Sequence, residues 1–77
     1  MESRAFIKYA TALIEKIQSN DVEIDRDAVQ KDINQLFSSL QNPTLPSAFR
    51  LRDVALSKGY VVEQKVQYRL SILENLA

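Results

Sequence analysis

The sequence predicts an all-α protein, folded as an antiparallel four-helix bundle in a single domain that spans residues 1–77. Two observations support this fold class. Apolar side chains recur at the spacing of an amphipathic helix in four separate stretches. The one Gly and two Pro, which interrupt helices, fall between these stretches or at their ends. The predicted helices cover residues 4–18, 26–40, 46–58 and 63–76.

The second predicted helix carries the clearest apolar stripe. Its members recur at i, i+4, i+7, i+8 and i+11, and they are Val29, Ile33, Leu36, Phe37 and Leu40. This spacing places them on one side of a helix. Asp25 precedes the run and can accept a hydrogen bond from a free amide of the first turn, which predicts a helix N-terminus there. A stripe this wide must be covered, so the other helices should pack on it.

The first predicted helix repeats the same spacing, in Phe6, Ala10, Leu13, Ile14 and Ile17. After it, short polar side chains at 19–21 favour a turn because they compete for backbone hydrogen bonds. Val22 and Ile24 are expected to tuck the following loop against the core. Because this loop is short, the first two helices should be antiparallel neighbours.

Prolines separate the second helix from the third. Pro43 cannot donate a backbone hydrogen bond and ends the second helix, whereas Pro46 suits the first turn of the next one. Gly59 lies where the end of a helix favours a left-handed residue. The third helix is expected to turn Phe49, Leu51, Val54 and Ala55 inward and Arg50, Arg52 and Asp53 mainly outward.

The fourth predicted helix follows a short apolar link, Tyr60-Val61-Val62. Aromatic and β-branched residues also favour a strand. A single short strand without a partner forms no sheet, so we interpret this segment as a link. The helix is expected to bury Val66, Leu70, Leu73 and Ala77, with Ile72 and Leu76 at its flanks.

The composition argues against enzymatic chemistry. The chain has no His and no Cys, so the Ser-His-Asp and Cys-His catalytic sets and the usual zinc ligand sets cannot form. A single Gly provides no glycine-rich phosphate loop. Acidic residues alternate from 21 to 27, but the glycine and the bidentate glutamate of a calcium loop are missing. We therefore expect no enzyme, no cofactor and no metal.

Charge and hydropathy restrict the cellular setting. The formal net charge is zero, whereas a general polyanion binder would carry a surplus of Lys and Arg. No apolar run approaches the roughly 20 residues that span a bilayer. The first residues lack the pattern of a secretory signal. The sequence therefore predicts a cytoplasmic protein that does not span a membrane.

The best candidate for a contact surface is a cluster of tyrosines and cations in the last third of the chain. Tyr60 and Tyr68 lie close in sequence to Lys65 and Arg69. The three Phe, by contrast, fall on predicted core faces. We expect the exposed side of the last two helices to bind a protein partner through Arg50, Arg52, Lys65, Tyr68 and Arg69.

A DNA-binding helix-turn-helix is the main alternative. Residues 53–59 followed by 65–70 resemble this motif, with Ala55 near the turn and Gly59 in it. The β-branched anchor, however, falls at Val66, one residue late, and Lys65 occupies the expected place. One residue rotates a side chain by about 100° around a helix, which turns the anchor away from the core. A small transcriptional regulator that binds nucleic acid therefore stays open as a weaker alternative, together with a helical protein-interaction adaptor.

Helices and connecting segments of distinct composition follow one another along the chain. An amphipathic helix at 10–17 leads into the acidic loop Glu23-Ile24-Asp25. A second helix ends in a long Ser/Gln/Asn/Pro connection, and a proline-started segment follows at 45–51. A helix, a glycine-bearing turn and an apolar link follow at 53–62, and a helix closes the chain at 65–76. Nearly the whole chain thus resembles the small immunity proteins that protect producers of pediocin-like (class IIa) bacteriocins.

The resemblance implies an antiparallel four-helix bundle without enzymatic activity. It also implies a protein that acts inside the cell and blocks the pore formed when a bacteriocin engages a sugar-transporter membrane receptor. The expected partner is then a bacteriocin–membrane receptor complex. We expect the chain itself to be a monomer or a weak dimer.

Overall fold

Four helices make up the regular structure of the residues that the structure describes. The computed structural model describes residues 3–19, 24–42 and 45–76. The helices are α1 (Ser3–Gln18), α2 (Arg26–Ser38), α3 (Pro46–Ser57) and α4 (Gln64–Leu76), and these described ranges contain no strand. The all-α prediction is confirmed. The expectations for Val22, Pro43 and Ala77 lie outside the described residues.

The core forms where the apolar stripes of the helices meet. α1 packs against both α2 and α3, and α4 packs on α3. Phe6 of α1 and Phe37 of α2 bring their ring centroids to 6.5 Å with a tilt of 55° between the planes. The buried apolar residues are Phe6, Ala10, Leu13, Ile14, Ile17, Val29, Ile33, Leu36, Phe37, Ala48, Leu51, Ala55, Tyr60, Val62 and Leu70.

α2 begins as the sequence predicts and ends earlier. The Asp25 carboxylate accepts a hydrogen bond from the Ala28 amide at 3.2 Å, which caps the helix N-terminus. The helix ends at Ser38, two residues before the predicted end near residue 40. There the Leu40 amide donates to the Phe37 carbonyl at 3.2 Å, and this tighter turn closes the helix. Leu40 is half-buried and still packs against the core.

Gly59 ends α3 in the conformation that the sequence predicts. Its φ angle is +86°, in the left-handed region. The Tyr60 amide donates to the Ala55 carbonyl at 2.9 Å, and the Gly59 amide donates to the Leu56 carbonyl at 3.1 Å. This pair of bonds is the Schellman motif, which reverses the chain direction at a helix end. The turn carries Tyr60 back towards the core.

The link between α3 and α4 is tied to α2. The Arg26 guanidinium lies 4.4 Å from the centroid of the Tyr60 ring and donates to the Lys58 carbonyl at 2.9 Å. Gln30 donates to the Val61 carbonyl at 2.7 Å and accepts from the Val61 amide at 2.8 Å. Tyr60 is only 6% exposed, so its predicted place in a surface cluster is wrong.

Candidate protein-binding surface on the fourth helix

α4 carries apolar side chains on two sides. On the inner side, Leu70 is fully buried, and Val66 and Leu73 are half-buried. On the other side, Tyr68, Ile72 and Leu76 are 71%, 43% and 78% exposed. These three residues recur at i, i+4 and i+8, which lines them up along one side of a helix. The inner set holds α4 to the rest of the protein, and the outer set remains in contact with solvent.

Two cations lie beside the exposed apolar stripe. At about 100° of rotation per residue, Lys65 and Arg69 fall within about 60° of the centre of the stripe. The Lys65 side chain is 84% exposed, and its ammonium lies 3.6 Å from the Glu63 carboxylate. Arg69 is exposed and forms no ion pair with any other described residue. We call the surface made by Lys65, Tyr68, Arg69, Ile72 and Leu76 the outer face of α4.

Arg52 does not belong to this surface. Its side chain is only 10% exposed, so the prediction that it faces outward is wrong. The guanidinium lies 3.0 Å from the Glu74 carboxylate of α4 and 2.8 Å from the Asp53 carboxylate. It also stacks near the Phe49 ring, at 5.6 Å from the centroid. Arg52 is covered by α4, which supplies the Glu74 carboxylate that pairs with it. The guanidinium therefore links α3 to α4.

The electrostatics of Arg52 are consistent with this linking position. Burial acts to lower the pKa of Arg52, but the hydrogen bonds that it donates to Glu74 and Asp53, and the negative charges of these groups, outweigh burial. The net effect is a pKa above the ordinary value of an arginine. The guanidinium therefore stays charged while it is buried, as a paired cation can.

Arg50 is exposed on α3 and also stands apart from the outer face of α4. Residues two apart on a helix point about 200° away from each other. Since Arg52 reaches towards α4, Arg50 points to the other side of α3. Of the five residues predicted to bind a partner, the fold thus brings together Lys65, Tyr68 and Arg69 and separates Arg50 and Arg52 from them.

Ile72 and Leu76 extend the candidate surface beyond the residues predicted from the sequence. They were expected at the flanks of a buried stripe. The signal for their exposure is present in the sequence, because α4 contains two apolar sets with different phases. Val66, Leu70 and Leu73 form one of them, and the i, i+4, i+8 series that starts at Tyr68 forms the other.

The α3–α4 pair lacks the turn of a helix-turn-helix. Six residues, 58–63, connect the two helices, whereas the motif uses a turn of about three or four. Lys65, which takes the place of the apolar anchor, extends into solvent. These two features distinguish the α3–α4 pair from a helix-turn-helix.

Concave regions of the described surface lie on the side of α1 and α2. An open groove of about 510 Å³ lies between α1 and α2, with Tyr9 and Leu13 on one wall and Leu36 on the other. Lys16 and Asp32 place one charge of each sign along it. Within 3–19, 24–42 and 45–76, no three carboxylate side chains converge as a metal site would require. In the same ranges, no helix has both the length and the apolar character needed to cross a membrane.

Comparisons of the chain with protein-family models, with curated proteins and with solved structures found no match.

Proposed function

We propose that this protein is a non-enzymatic binding protein and that the outer face of α4 is its binding surface. The observation that carries this proposal is the exposure of Tyr68, Ile72 and Leu76 in one line. Apolar side chains grouped in this way commonly mark an interaction site, and single exposed ones do not. Lys65 and Arg69 beside the line supply charges that can select and orient a partner.

We further propose that the partner is a protein complex at the membrane and that the chain is a cytoplasmic bacteriocin immunity protein. The resemblance of the element order to the pediocin-like immunity proteins supports this assignment. A surface built from tyrosine, aliphatic side chains and arginine also has the composition of a protein interface. In this proposal the protein acts as a monomer or weak dimer and contributes binding without chemistry.

The same proposal includes an antiparallel arrangement of successive helices. Phe6, near the start of α1, lies against Phe37, near the end of α2. Arg26, at the start of α2, is bonded to Lys58, just beyond the end of α3. The first contact joins the beginning of α1 to the end of α2, as antiparallel packing requires, and the second ties the start of α2 to the segment that follows α3.

A challenge of living cells tests the proposed function. The chain would be expressed in a bacteriocin-sensitive strain, and survival would be measured against a panel of pediocin-like peptides. We expect protection against at least one peptide and loss of that protection in the double variant Lys65→Glu/Arg69→Glu. The matched control is Lys8→Glu/Lys31→Glu, which reverses two exposed cations on α1 and α2.

Two outcomes would contradict the proposal. Absence of protection across the whole panel would reject the immunity function, and a DNA-binding screen at stated salt would then test the helix-turn-helix alternative. Protection that survives charge reversal on α4 but is lost in the control variant would move the binding surface to α1 and α2. Far-ultraviolet circular dichroism of each variant checks that the helices are retained.

A further inference from the structure

The charges on the outer face of α4 define the chemistry of its partner. We propose that the partner presents an amphipathic helix whose apolar stripe is bordered on one side by carboxylates. This inference rests on the proposed function of α4 as a binding surface. It adds the class of ligand, the sign of its charge and the side on which that charge lies.

Within Gln64–Leu76, no carboxylate lies on the cationic edge of α4. Lys65 and Arg69 are one turn apart, about 6 Å along the helix axis. Glu74 is the one acidic residue within Gln64–Leu76, and it points to Arg52 on the inner side. Glu63 lies at 3.6 Å from Lys65 alone, in a pair that is exposed and therefore weak. A partner with two carboxylates four residues apart on a helix would match both cations.

The cations lie towards one side of the apolar stripe. On the helical projection, Arg69 lies just beyond Leu76 and Lys65 lies between Ile72 and Leu76, whereas the opposite border carries the uncharged Gln64, Ser71 and Asn75. A lipid surface attracts cations on either border equally, and a peripheral helix uses several of them on a strongly charged polar face. A one-sided pair instead specifies the orientation of an elongated partner. This asymmetry favours a protein helix over an anionic membrane.

The shape of the surface also fits a helix. The stripe from Tyr68 to Leu76 runs for about 12 Å along a convex ridge, and such ridges pack into the grooves between side chains of another helix. A convex ridge does not enclose a small molecule. A second copy of α4 would bring the same two cations and no carboxylate on the matching face. These points leave an acidic amphipathic helix as the complementary ligand.

Synthetic peptides provide the test. A fluorescent peptide of about 18 residues, or five turns, would carry Leu at helical i, i+3, i+4, i+7 spacing and Glu along one border of that stripe. The matched peptide replaces each Glu with Lys. Anisotropy titration with the full chain should show binding of the Glu peptide that is at least about tenfold tighter than binding of the Lys peptide, because like charges at an interface repel.

Variants of the full chain locate the site. Arg69→Glu should weaken binding of the Glu peptide by about tenfold, and Tyr68→Ser should weaken it independently of salt, since it removes apolar contact. Lys31→Glu on α2 should leave the affinity unchanged. Equal affinity for the two peptides, or binding of the Glu peptide that Arg69→Glu does not change, would overturn the proposal. Binding to phosphatidylglycerol vesicles without binding to the Glu peptide would also overturn it and assign the face to a membrane.

Cell protection and peptide binding together distinguish an incorrect partner class from an incorrect binding surface. If cells lose protection in Lys65→Glu/Arg69→Glu but the peptides are not discriminated, α4 binds its partner and the partner is not an acidic helix. If that variant keeps full protection, the outer face of α4 is not the working surface.

Discussion

The guanidinium of Arg52 on α3 lies 3.0 Å from the carboxylate of Glu74 on α4. Together with the burial of Leu70, this ion pair fixes which side of α4 faces solvent. Glu74 is on the opposite side of the helix from the stripe that contains Tyr68 and Ile72, because about 200° separates residues two positions apart. Once Glu74 is held by α3 and Leu70 is buried, the stripe must point outward. The structural role of Arg52 and the exposure of the candidate surface are therefore parts of one arrangement.

Removal of the Glu74 charge should loosen α4. We expect Glu74→Gln to lower the free energy of unfolding by about 1 kcal/mol, a modest loss because Glu74 is half-exposed and Asp53 still pairs with Arg52. Urea denaturation measures this change. Glu63→Gln removes an exposed carboxylate from the weaker pair with Lys65 and should change the free energy by less than about 0.5 kcal/mol. Equal losses in the two variants would show that the Arg52–Glu74 pair does not link the helices.

The raised pKa of Arg52 predicts how this link responds to alkali. A group with a raised folded-state pKa stabilises the fold fully below its unfolded-state pKa and loses that contribution as pH rises through the folded-state value. For Arg52 both values lie far above neutrality. The difference in Tm between the wild type and Arg52→Gln should therefore be the same at pH 7 and at pH 9. A difference that shrinks between these two pH values would contradict the assignment.

Tyr60 and Tyr68 should differ strongly in how much they contribute to stability. Tyr60→Ala should cost about 3 kcal/mol of unfolding free energy, because it leaves a cavity and removes the ring beneath Arg26. Tyr68→Ala should change the same quantity by less than about 0.5 kcal/mol, since Tyr68 is mostly exposed. Chemical denaturation of both variants in the same buffer makes the comparison. Similar losses at the two positions would mean that Tyr68 is packed in solution.

Phe37 should be central to stability. Its ring is buried against Phe6 in a small core, so Phe37→Ala should lower the free energy of unfolding by about 3–5 kcal/mol. Equilibrium denaturation followed by circular dichroism measures the loss. A value under about 1 kcal/mol would show that the core can close around the missing ring.

A side chain at position 59 should destabilise the fold. Its φ of +86° strains any other residue, and a Cβ would lie 3.3 Å from the Arg26 guanidinium. We expect Gly59→Ala to destabilise the protein by about 1 kcal/mol or more. Lys58→Ala, at the preceding exposed position, is the control and should have little effect. If both variants unfold at the wild-type denaturant concentration, the Schellman turn does not hold the α3–α4 link.

Local patterns predict most of this fold. Four predicted features depend only on neighbours within a few positions, and each is observed. They are the apolar spacing in α1 and α2, the cap at Asp25, the start of α3 at Pro46 and the left-handed Gly59. The burial of Arg52 and Tyr60 depends on partners far away in the chain. Arg52 meets Glu74, which is 22 residues distant, and Tyr60 meets Arg26, which is 34 residues distant. No helical periodicity contains these pairings.

The candidate surface could be predicted only in part from the local sequence. Lys65, Tyr68 and Arg69 are exposed, as predicted, because each lies about 100° or more around α4 from the buried Leu70. The exposure of Ile72 and Leu76 was missed because an apolar residue beside a buried stripe is usually covered by a neighbouring helix. Here α4 packs on α3, and its far side stays open in the described structure.

The central claim is that the outer face of α4 binds a partner and contributes little to the fold. The most direct test measures bacteriocin survival and unfolding free energy on one variant, Tyr68→Ser/Ile72→Ser, beside Tyr9→Ser, which changes an exposed tyrosine at the groove between α1 and α2. We predict that Tyr68→Ser/Ile72→Ser abolishes protection while its unfolding free energy stays within about 0.5 kcal/mol of the wild type, and that Tyr9→Ser keeps protection. Full protection by the α4 variant, with its stability unchanged, would contradict the claim.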